Sequence, residues 1–447
     1  MIELSFYGGV GEIGGNKIRV TSGESQIFLD FGKNFAREKE YFEEPFLSPR
    51  GLNHLINLGI LPDLPGIYKG DESAPPPDAV VLSHAHTDHY DPIRFLRDEI
   101  PIMGSGMTLN LILAREYCGQ TQAGESIARF TKGNGKQCCK RFDEISSKSI
   151  KVGNFEIAQH PVDHSIPGAC GTILDDGETR VVYSGDIRFH GPRAKDSMDF
   201  LHIASSMEPD VLIVEGTGMQ GSRMTREDDV HAKAKEVVDH TAGVVMAGYP
   251  VFDFDRMSTF ASIAEETGRK LAISMKQAFA LLHLESEGIH LPFDLGNLAV
   301  FERCKKVRYA HEDEVAGVYS DILTAEDVNK RQEEMIVTFT LFDMNESIEI
   351  DPKPGSAYIL SSSEPFSEEM WISYDRLRNW LEYLGIPLYQ VHASGHARPH
   401  DIKEMVRDIS PKIVIPIHTE CPDLFNRYLS DLDVKVAIPS YDTKMRF

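Results

Sequence analysis

Short apolar runs separated by glycines open the chain. Ile2–Tyr7, Lys17–Thr21 and Gln26–Leu29 alternate apolar and polar positions, and the pattern predicts three consecutive strands. Ala79–Leu82 is an apolar run of strand length, and Thr108–Tyr117 has helical spacing. Ile150–Ala158 and Gly171–Gly185 return to strands, the second with Asp176-Gly177 as a hairpin turn between apolar arms. Val211–Val214 is apolar throughout. From there strand and helix alternate. Thr225 with Asp228 can cap a helix running to about Asp239. Val244–Ala247, Leu271–Ser274, Tyr358–Leu360, Leu388–His392 and Ile413–Ile417 read as strands. Arg256–Glu266, Ala278–Glu285, Tyr374–Leu384 and His400–Asp408 read as helices between them. Such alternation is the mark of layered α/β modules. The division expected is a first domain part over 1–215, an insert over 216–352, and a second part over 353–447.

The chain has 447 residues, 41% hydrophobic and 26% charged, which supplies an ample core and excludes a disordered or collagenous protein. With 46 Lys+Arg against 69 Asp+Glu, the net charge is −23. A basic nucleic-acid coat is therefore excluded, and any track for phosphates must be local. No apolar stretch is long enough to span a membrane. The first residues lack the basic and apolar blocks of a signal peptide. The 6 cysteines form no C-x-x-C pair, so a reduced, cytoplasmic protein is expected.

Candidate chemistry concentrates in Ser83-His84-Ala85-His86-Thr87-Asp88-His89, directly after the strand Ala79–Leu82. His84 and His86 can face one metal while Asp88 and His89 turn toward a second. Imidazole and carboxylate donors suit zinc and also manganese. His164, Asp186 and His418 each follow another apolar strand, the same placement at a strand's carboxyl end.

The order H-x-H-x-D-H, then His, then Gly-Asp, then a late His resembles the metallo-β-lactamase superfamily. Asp30, in Phe28-Leu29-Asp30-Phe31-Gly32, resembles its first motif, a carboxylate that orients the ligand loop. The resemblance implies an α/β fold, an αββα sandwich with a dinuclear site. His84, His86 and His164 would bind one metal, Asp88, His89 and His418 the other, and Asp186 would bridge. The insert narrows the class. Glu215-Gly216-Thr217 before it and His392-Ala393-Ser394-Gly395-His396-Ala397 after it are similar to motifs of the β-CASP nucleases, in the ribonuclease J branch. Without the long C-terminal domain of the bacterial enzymes or N-terminal KH domains, the chain resembles the compact archaeal members.

That resemblance implies a metal-dependent ribonuclease acting on single-stranded RNA, 5′→3′ exonucleolytic with endonucleolytic cutting as well. Two divalent metals, zinc or else manganese, would clamp the phosphate and activate water. Asp186 and Asp88 would position the metals and water. His396 would stabilise charge or protonate the leaving oxygen, and Glu215 would orient a histidine. His392, Ser394 and Gly395, with His396, would form a pocket for a 5′-monophosphate. One segment departs from the pattern. Tyr249-Pro250-Val251-Phe252-Asp253-Phe254-Asp255-Arg256 replaces a Ser-Asn pair that relatives often carry. Asp253 or Asp255 facing a phosphate would repel it, whereas Phe252 and Phe254 could stack on bases.

Other readings stay open. A β-CASP nuclease for DNA, or one that cuts only internally, would carry the same motifs. A small-molecule hydrolase such as a lactonase or thioesterase would need no insert, and a non-catalytic RNA-binding subunit would be expected to lose ligands. The motif Gly9-Val10-Gly11-Glu12-Ile13-Gly14 matches a dinucleotide fingerprint, but the alternating Lys17-Ile18-Arg19-Val20 after it predicts a hairpin turn instead of a helix. Two basic clusters, Lys132 to Arg141 and Arg303-Lys305-Lys306-Arg308, could contact RNA or be solvated loops. A homodimer is left open.

Overall fold

A computed structural model describes residues 1–43, 46–119, 125–131, 135–138, 141–145, 149–221, 226–291, 297–363 and 368–447. Two compact units emerge, Met1–Ser222 with Gly395–Phe447, and Arg223–Ser394.

The first unit is a sandwich of two sheets, each of 7 strands among the described residues. One sheet begins as the predicted meander. Glu3–Phe6, Ile18–Ser22 and Ser25–Leu29 pair antiparallel, and Ala79–Val81 joins in parallel. The glycines between the first two strands make a hairpin turn, with Gly9, Gly11, Gly14 and Gly15 at positive φ, so the dinucleotide reading fails. In the other sheet Phe155–Pro161, Cys170–Asp175 and Arg180–Tyr183 run antiparallel in sequence. Val211–Glu215 then pairs in parallel with Arg180–Tyr183 on one side and Ile413–Ile417 on the other.

Alternation along Val211–Glu215 explains the layers. Val211 and Ile213 enter the core between the sheets, where they meet Leu4, Val20, Leu29 and Val81 from the facing sheet. Leu212 and Val214 point the other way and pack under Phe200, Leu201 and Ala204 of one helix and Ile402, Met405 and Val406 of another. A strand buried on both faces must be apolar at every position, which is why this run shows no polar alternation. Those helices, Ala194–Ser206 and Pro399–Ile409, form an outer layer.

The second unit is a parallel sheet of 7 strands among the described residues, with Val245–Gly248 near its centre. Here the expected boundary at 352/353 is corrected. Ala357–Leu360 pairs with Val245–Gly248, and Leu388–Gln390 pairs with Ala357–Leu360. Both strands therefore belong to the inserted sheet, and the chain returns to the sandwich only at Gly395. Strand–helix alternation says that a strand is parallel, not which of two sheets it joins. Thr225, expected as a cap, lies outside the described residues. The helix Glu227–Asp239 follows, where the Arg226 N–H donates to Asp229 at 2.9 Å. Among the described residues no helix is long and apolar enough to cross a membrane.

Candidate metal centre

The ligand loop follows Ala79–Val81 and enters a short helix, Thr87–Tyr90. Its geometry depends on close backbone approaches. Gly15 N–H donates to the Asp88 carbonyl at 3.1 Å, and a Cβ on Gly32 would lie 1.5 Å from that same oxygen. A Cβ on Gly14 would come within 2.8 Å of the Asp88 carboxylate. The glycine hairpin thus forms the floor under Asp88.

Above it three imidazole nitrogens converge. His86 Nδ1 lies 3.0 Å from His84 Nε2 and 3.0 Å from His164 Nε2. Asp186 Oδ2 lies 3.7 Å from both His84 Nε2 and His164 Nε2. The same oxygen is 3.3 Å from His89 Nε2 and 3.8 Å from His418 Nε2. Asp88 Oδ2 is 3.3 Å from His418 Nε2 and 4.0 Å from His89 Nε2. Donor atoms around a tetrahedral zinc at ~2.0–2.1 Å sit ~3.3 Å apart. The residues therefore fall into two donor groups, His84, His86, His164 with Asp186, and Asp88, His89 with His418, and Asp186 faces both.

Remaining hydrogen bonds turn the imidazoles toward that centre. His164 Nδ1 donates to the Gly395 carbonyl at 2.5 Å, and His89 Nδ1 to Asp30 Oδ2 at 2.7 Å. Thr217 Oγ1 sits 2.7 Å from His418 Nδ1 and donates to the His418 carbonyl at 3.2 Å, so it accepts from the ring. Each contact places the proton on Nδ1 and leaves Nε2 as a bare donor. His89 Nε2 and Asp186 Oδ1 are buried without a hydrogen-bond partner among the described residues. Buried polar atoms left without a partner are costly, and a cation held among them would satisfy both. The donor set fits divalent metal.

Electrostatics agree. Burial drives the pKa of His84 and His164 well below the ordinary range and that of His86 to about 4, with neighbouring imidazoles adding to it for His84 and His164. Neutral imidazole is the form that ligates. Burial opposes charge on Asp186 and Asp88, yet His418 and His89 hold both carboxyls below their usual range. His89 is the exception: burial opposes its charge, but Asp186 and Asp30 outweigh it and raise its pKa, so a cation bound there must displace a proton from Nε2.

At the margin of the donor groups lies His396. Its Nδ1 is 3.2 Å from Glu215 Oε1 and 3.8 Å from Asp186 Oδ2. Burial opposes its charge, but Glu215 lifts its pKa to about 9. Glu215 Oε1 also accepts from Ala397 N–H, and Oε2 from Thr217 N–H. One buried carboxylate therefore holds the His396 segment and the threonine behind His418. Thr217, Ser83 and Tyr183 had drawn no role from the sequence. Ser83 and Tyr183 both donate to Asp30, and only their place beside motif residues could have signalled them.

The expected phosphate-pocket residues divide between the units. His392 and Ser394 are half-buried and end the second unit, while Gly395 and His396 begin the return to the first. Gly395 is needed for packing against the His164 loop, since a Cβ there would meet Ser165 Oγ at 2.8 Å. Asp253 caps the helix Phe254–Thr267, accepting from Arg256 N–H at 2.9 Å. Phe254 is buried in the unit's interior, which removes it as a stacking platform; Phe252 is half-buried. Of the basic clusters, Arg303, Lys305 and Arg308 are paired with Asp343, Glu312 and Glu302. In the other, 132–134 and 139–140 lie outside the described residues.

Comparison with known proteins gives two family matches, a beta-lactamase superfamily domain over residues 62–246 and a Zn-dependent metallo-hydrolase RNA specificity domain over 387–439. The chain is 26% identical to ribonuclease J of Thermus thermophilus, over 94% of this chain and 68% of that one. It is 23% identical to ribonuclease J 1 of Streptococcus pyogenes, over 92% and 68%. With ribonuclease J of Helicobacter pylori the identity is 23%, over 94% of this chain and 56% of that protein. A crystal structure of an Enterococcus faecalis protein of unknown function shares the fold across 99% of both chains, with a TM-score of 0.77 at 22% identity. The chain thus carries a beta-lactamase superfamily domain together with an RNA specificity domain of Zn-dependent metallo-hydrolases, the make-up of a metal-dependent hydrolase, and it is similar to the ribonuclease J proteins across most of its length.

Proposed function

We propose that the protein is a ribonuclease that hydrolyses phosphodiester bonds of single-stranded RNA, 5′→3′ from a monophosphorylated end and also internally. The observation that carries this reading is the convergence of six histidine and aspartate side chains on Asp186, with the Glu215–His396 pair at its edge. The relatives named ribonuclease J support RNA as the substrate. His84, His86, His164 and Asp186 would hold one divalent cation, and Asp88, His89, His418 and Asp186 a second, zinc or manganese. When bound, such ions supply Lewis acidity toward the phosphate and lower the pKa of coordinated water.

The chain's own residues do the rest. Asp186 sets the common edge of the two donor groups. Glu215 fixes the His396 ring through Nδ1, which leaves Nε2 to give a proton to the leaving oxygen. His392 and Ser394 would receive the 5′-phosphate. Free thiols at Cys118, Cys170, Cys304 and Cys421 suit a reducing, cytoplasmic setting.

The test is a cleavage time course on one RNA, 5′-monophosphorylated or 5′-hydroxyl, labelled at either end, with zinc- and manganese-loaded protein. Mononucleotide released first from the monophosphorylated 5′ end supports the full reading. Internal fragments independent of that end reduce it to an endonuclease. Intact RNA with both metals bound refutes it.

A further inference from the structure

We infer that the buried ion pair between Asp163 and Arg188 is a positioning device, holding His164 and Asp186 at the separation that the first cation requires. The inference rests on the metal-centre reading above for the identity of the ligands. It concerns how two of them are kept together.

His164 and Asp186 come from different loops. One follows the strand Phe155–Pro161 and the other follows Arg180–Tyr183. Those strands are not neighbours, because Cys170–Asp175 lies between them in the sheet. The ladder alone therefore leaves the two loops free to drift apart. What closes the gap is an isolated bridge between Asp163 and Arg188, in which Arg188 N–H donates to the Asp163 carbonyl at 2.8 Å. The side chains repeat the connection, with Arg188 Nε 3.0 Å from Asp163 Oδ1. Asp163 directly precedes His164, and Arg188 stands two residues after Asp186.

Three further residues hold the two loops. Ser197 Oγ accepts from Asp163 N–H at 2.8 Å and donates to the Arg188 carbonyl at 2.7 Å. Arg193 Nη2 donates to the His164 carbonyl at 2.8 Å. Gly191 passes directly over the pair, where a Cβ would lie 2.3 Å from Arg188 Nε and 2.4 Å from Asp163 Oδ2. Asp163 and Arg188 are 0% and 1% exposed. An ion pair this deep contributes little stability compared with a well-packed apolar pair of equal volume, because desolvation cancels its attraction. Its directional hydrogen bonds are the gain. They hold the two loops so that His164 Nε2 and Asp186 Oδ2 stay 3.7 Å apart.

The experiment measures zinc and manganese binding to metal-free protein by competition with a chromophoric chelator, beside thermal unfolding of the same metal-free samples. Removing one partner strands a buried charge and can unfold the chain. The central variant is therefore the apolar double replacement Asp163→Leu with Arg188→Met, with Ser197→Ala and Arg188→Lys as milder companions. The expected result is a folded double variant whose metal-free melting temperature matches the wild type. Its affinity for one cation should fall ~10–100-fold, the range seen when partners behind metal ligands are lost. Arg188→Lys should recover part of that loss. Cleavage of the double variant at saturating metal should recover more than at limiting metal. Folded variants that bind both cations as tightly as wild type would overturn the inference and leave the metal centre standing. A wild-type protein that binds neither cation would overturn the centre itself.

Discussion

Replacing Asp30 with asparagine changes one oxygen for an amide and removes one charge. It should disable half of the metal centre while the fold survives. Asp30 is fully buried, and its carboxylate accepts four hydrogen bonds. Oδ1 takes Ser83 N–H at 2.7 Å. Oδ2 takes Ser83 Oγ at 2.8 Å, His89 Nδ1 at 2.7 Å and Tyr183 OH at 2.7 Å. Asparagine can keep its oxygen toward Ser83 N–H, which cannot become an acceptor. Its amide nitrogen then occupies the Oδ2 position. The two hydroxyls can rotate and accept, but His89 can do so only by moving its proton to Nε2, the atom that faces Asp186.

The consequence for stability is one disturbed buried contact, roughly 1–3 kcal/mol against a total of ~5–15 kcal/mol. The consequence for function is larger. A ligand presenting N–H to the metal position is no ligand, so affinity at the Asp88–His89–His418 group should fall ~10–100-fold. Turnover should fall roughly 10²–10⁴-fold, as when a histidine is held in the wrong tautomer. The assay pairs metal content per chain and chelator competition with cleavage of end-labelled RNA and with urea unfolding of metal-free protein. Near-wild-type affinity and turnover in a folded Asp30→Asn protein would refute the tautomer argument. Asp30→Ala is the contrasting variant. It leaves Ser83 N–H and His89 without an acceptor, and it should express mainly as unfolded chain.

Three further outcomes are expected. His396→Ala should lower cleavage at saturating RNA by ~10²–10⁴-fold with RNA affinity changed only a few-fold, and an unchanged saturated rate would remove its role as proton donor. Thr217→Val keeps the shape but deletes the hydroxyl on His418 Nδ1, so metal retention should fall ~10–100-fold, measured by chelator competition, with the metal-free fold destabilised by roughly 1–3 kcal/mol; tight retention would contradict it. Lys17 is buried, and burial pushes its pKa from 10.5 down to about 7, with Glu12 working against the shift. Between those values the unfolded chain holds the extra proton, so stability rises with pH across that window, and the full cost, roughly 5 kcal/mol, is present below it. Unfolding midpoints at pH 7 and pH 10 should therefore show wild type gaining on Lys17→Met as pH rises, and parallel curves would contradict the assignment.

Much of the centre was legible because its residues obey a local rule. An apolar run predicts a buried strand, and a histidine or aspartate just past its end stands where sheets present ligands. His84, His164, Asp186 and His418 could each be placed by reading a few residues. The supporting contacts follow no such rule. Thr217 meets His418 across 201 positions, and Arg188 meets Asp163 across 25, with no periodicity to announce either. The boundary at 394 was hidden for a related reason. Ala357–Leu360 has the composition of a strand buried on both faces, and either parallel sheet could have accepted it. Asp253 read as a charge facing a phosphate, whereas three positions before a backbone N–H it serves equally well as a helix cap.

Backbone conformation at the centre carries the same lesson into energetics. Asp30 and His418 both adopt left-handed φ, at 56° and 55°, although neither is glycine. Each ends a strand, and each costs roughly 1–2 kcal/mol in that conformation. Other non-glycine residues with positive φ, such as Asp351 and Ser410, cap helices, where the turn itself requires it. Asp30 and His418 have no such need, since an extended residue would continue either strand. The turn sends the Asp30 carboxylate toward Ser83 and His89, and it sends the His418 ring toward Asp88 and Thr217. Glycine at either position would relieve the strain and leave no side chain to aim. The strain persists because the hydrogen bonds and apolar packing around these two residues over-determine their position, with Leu29 and Ile417 beside them locked in the core between the sheets.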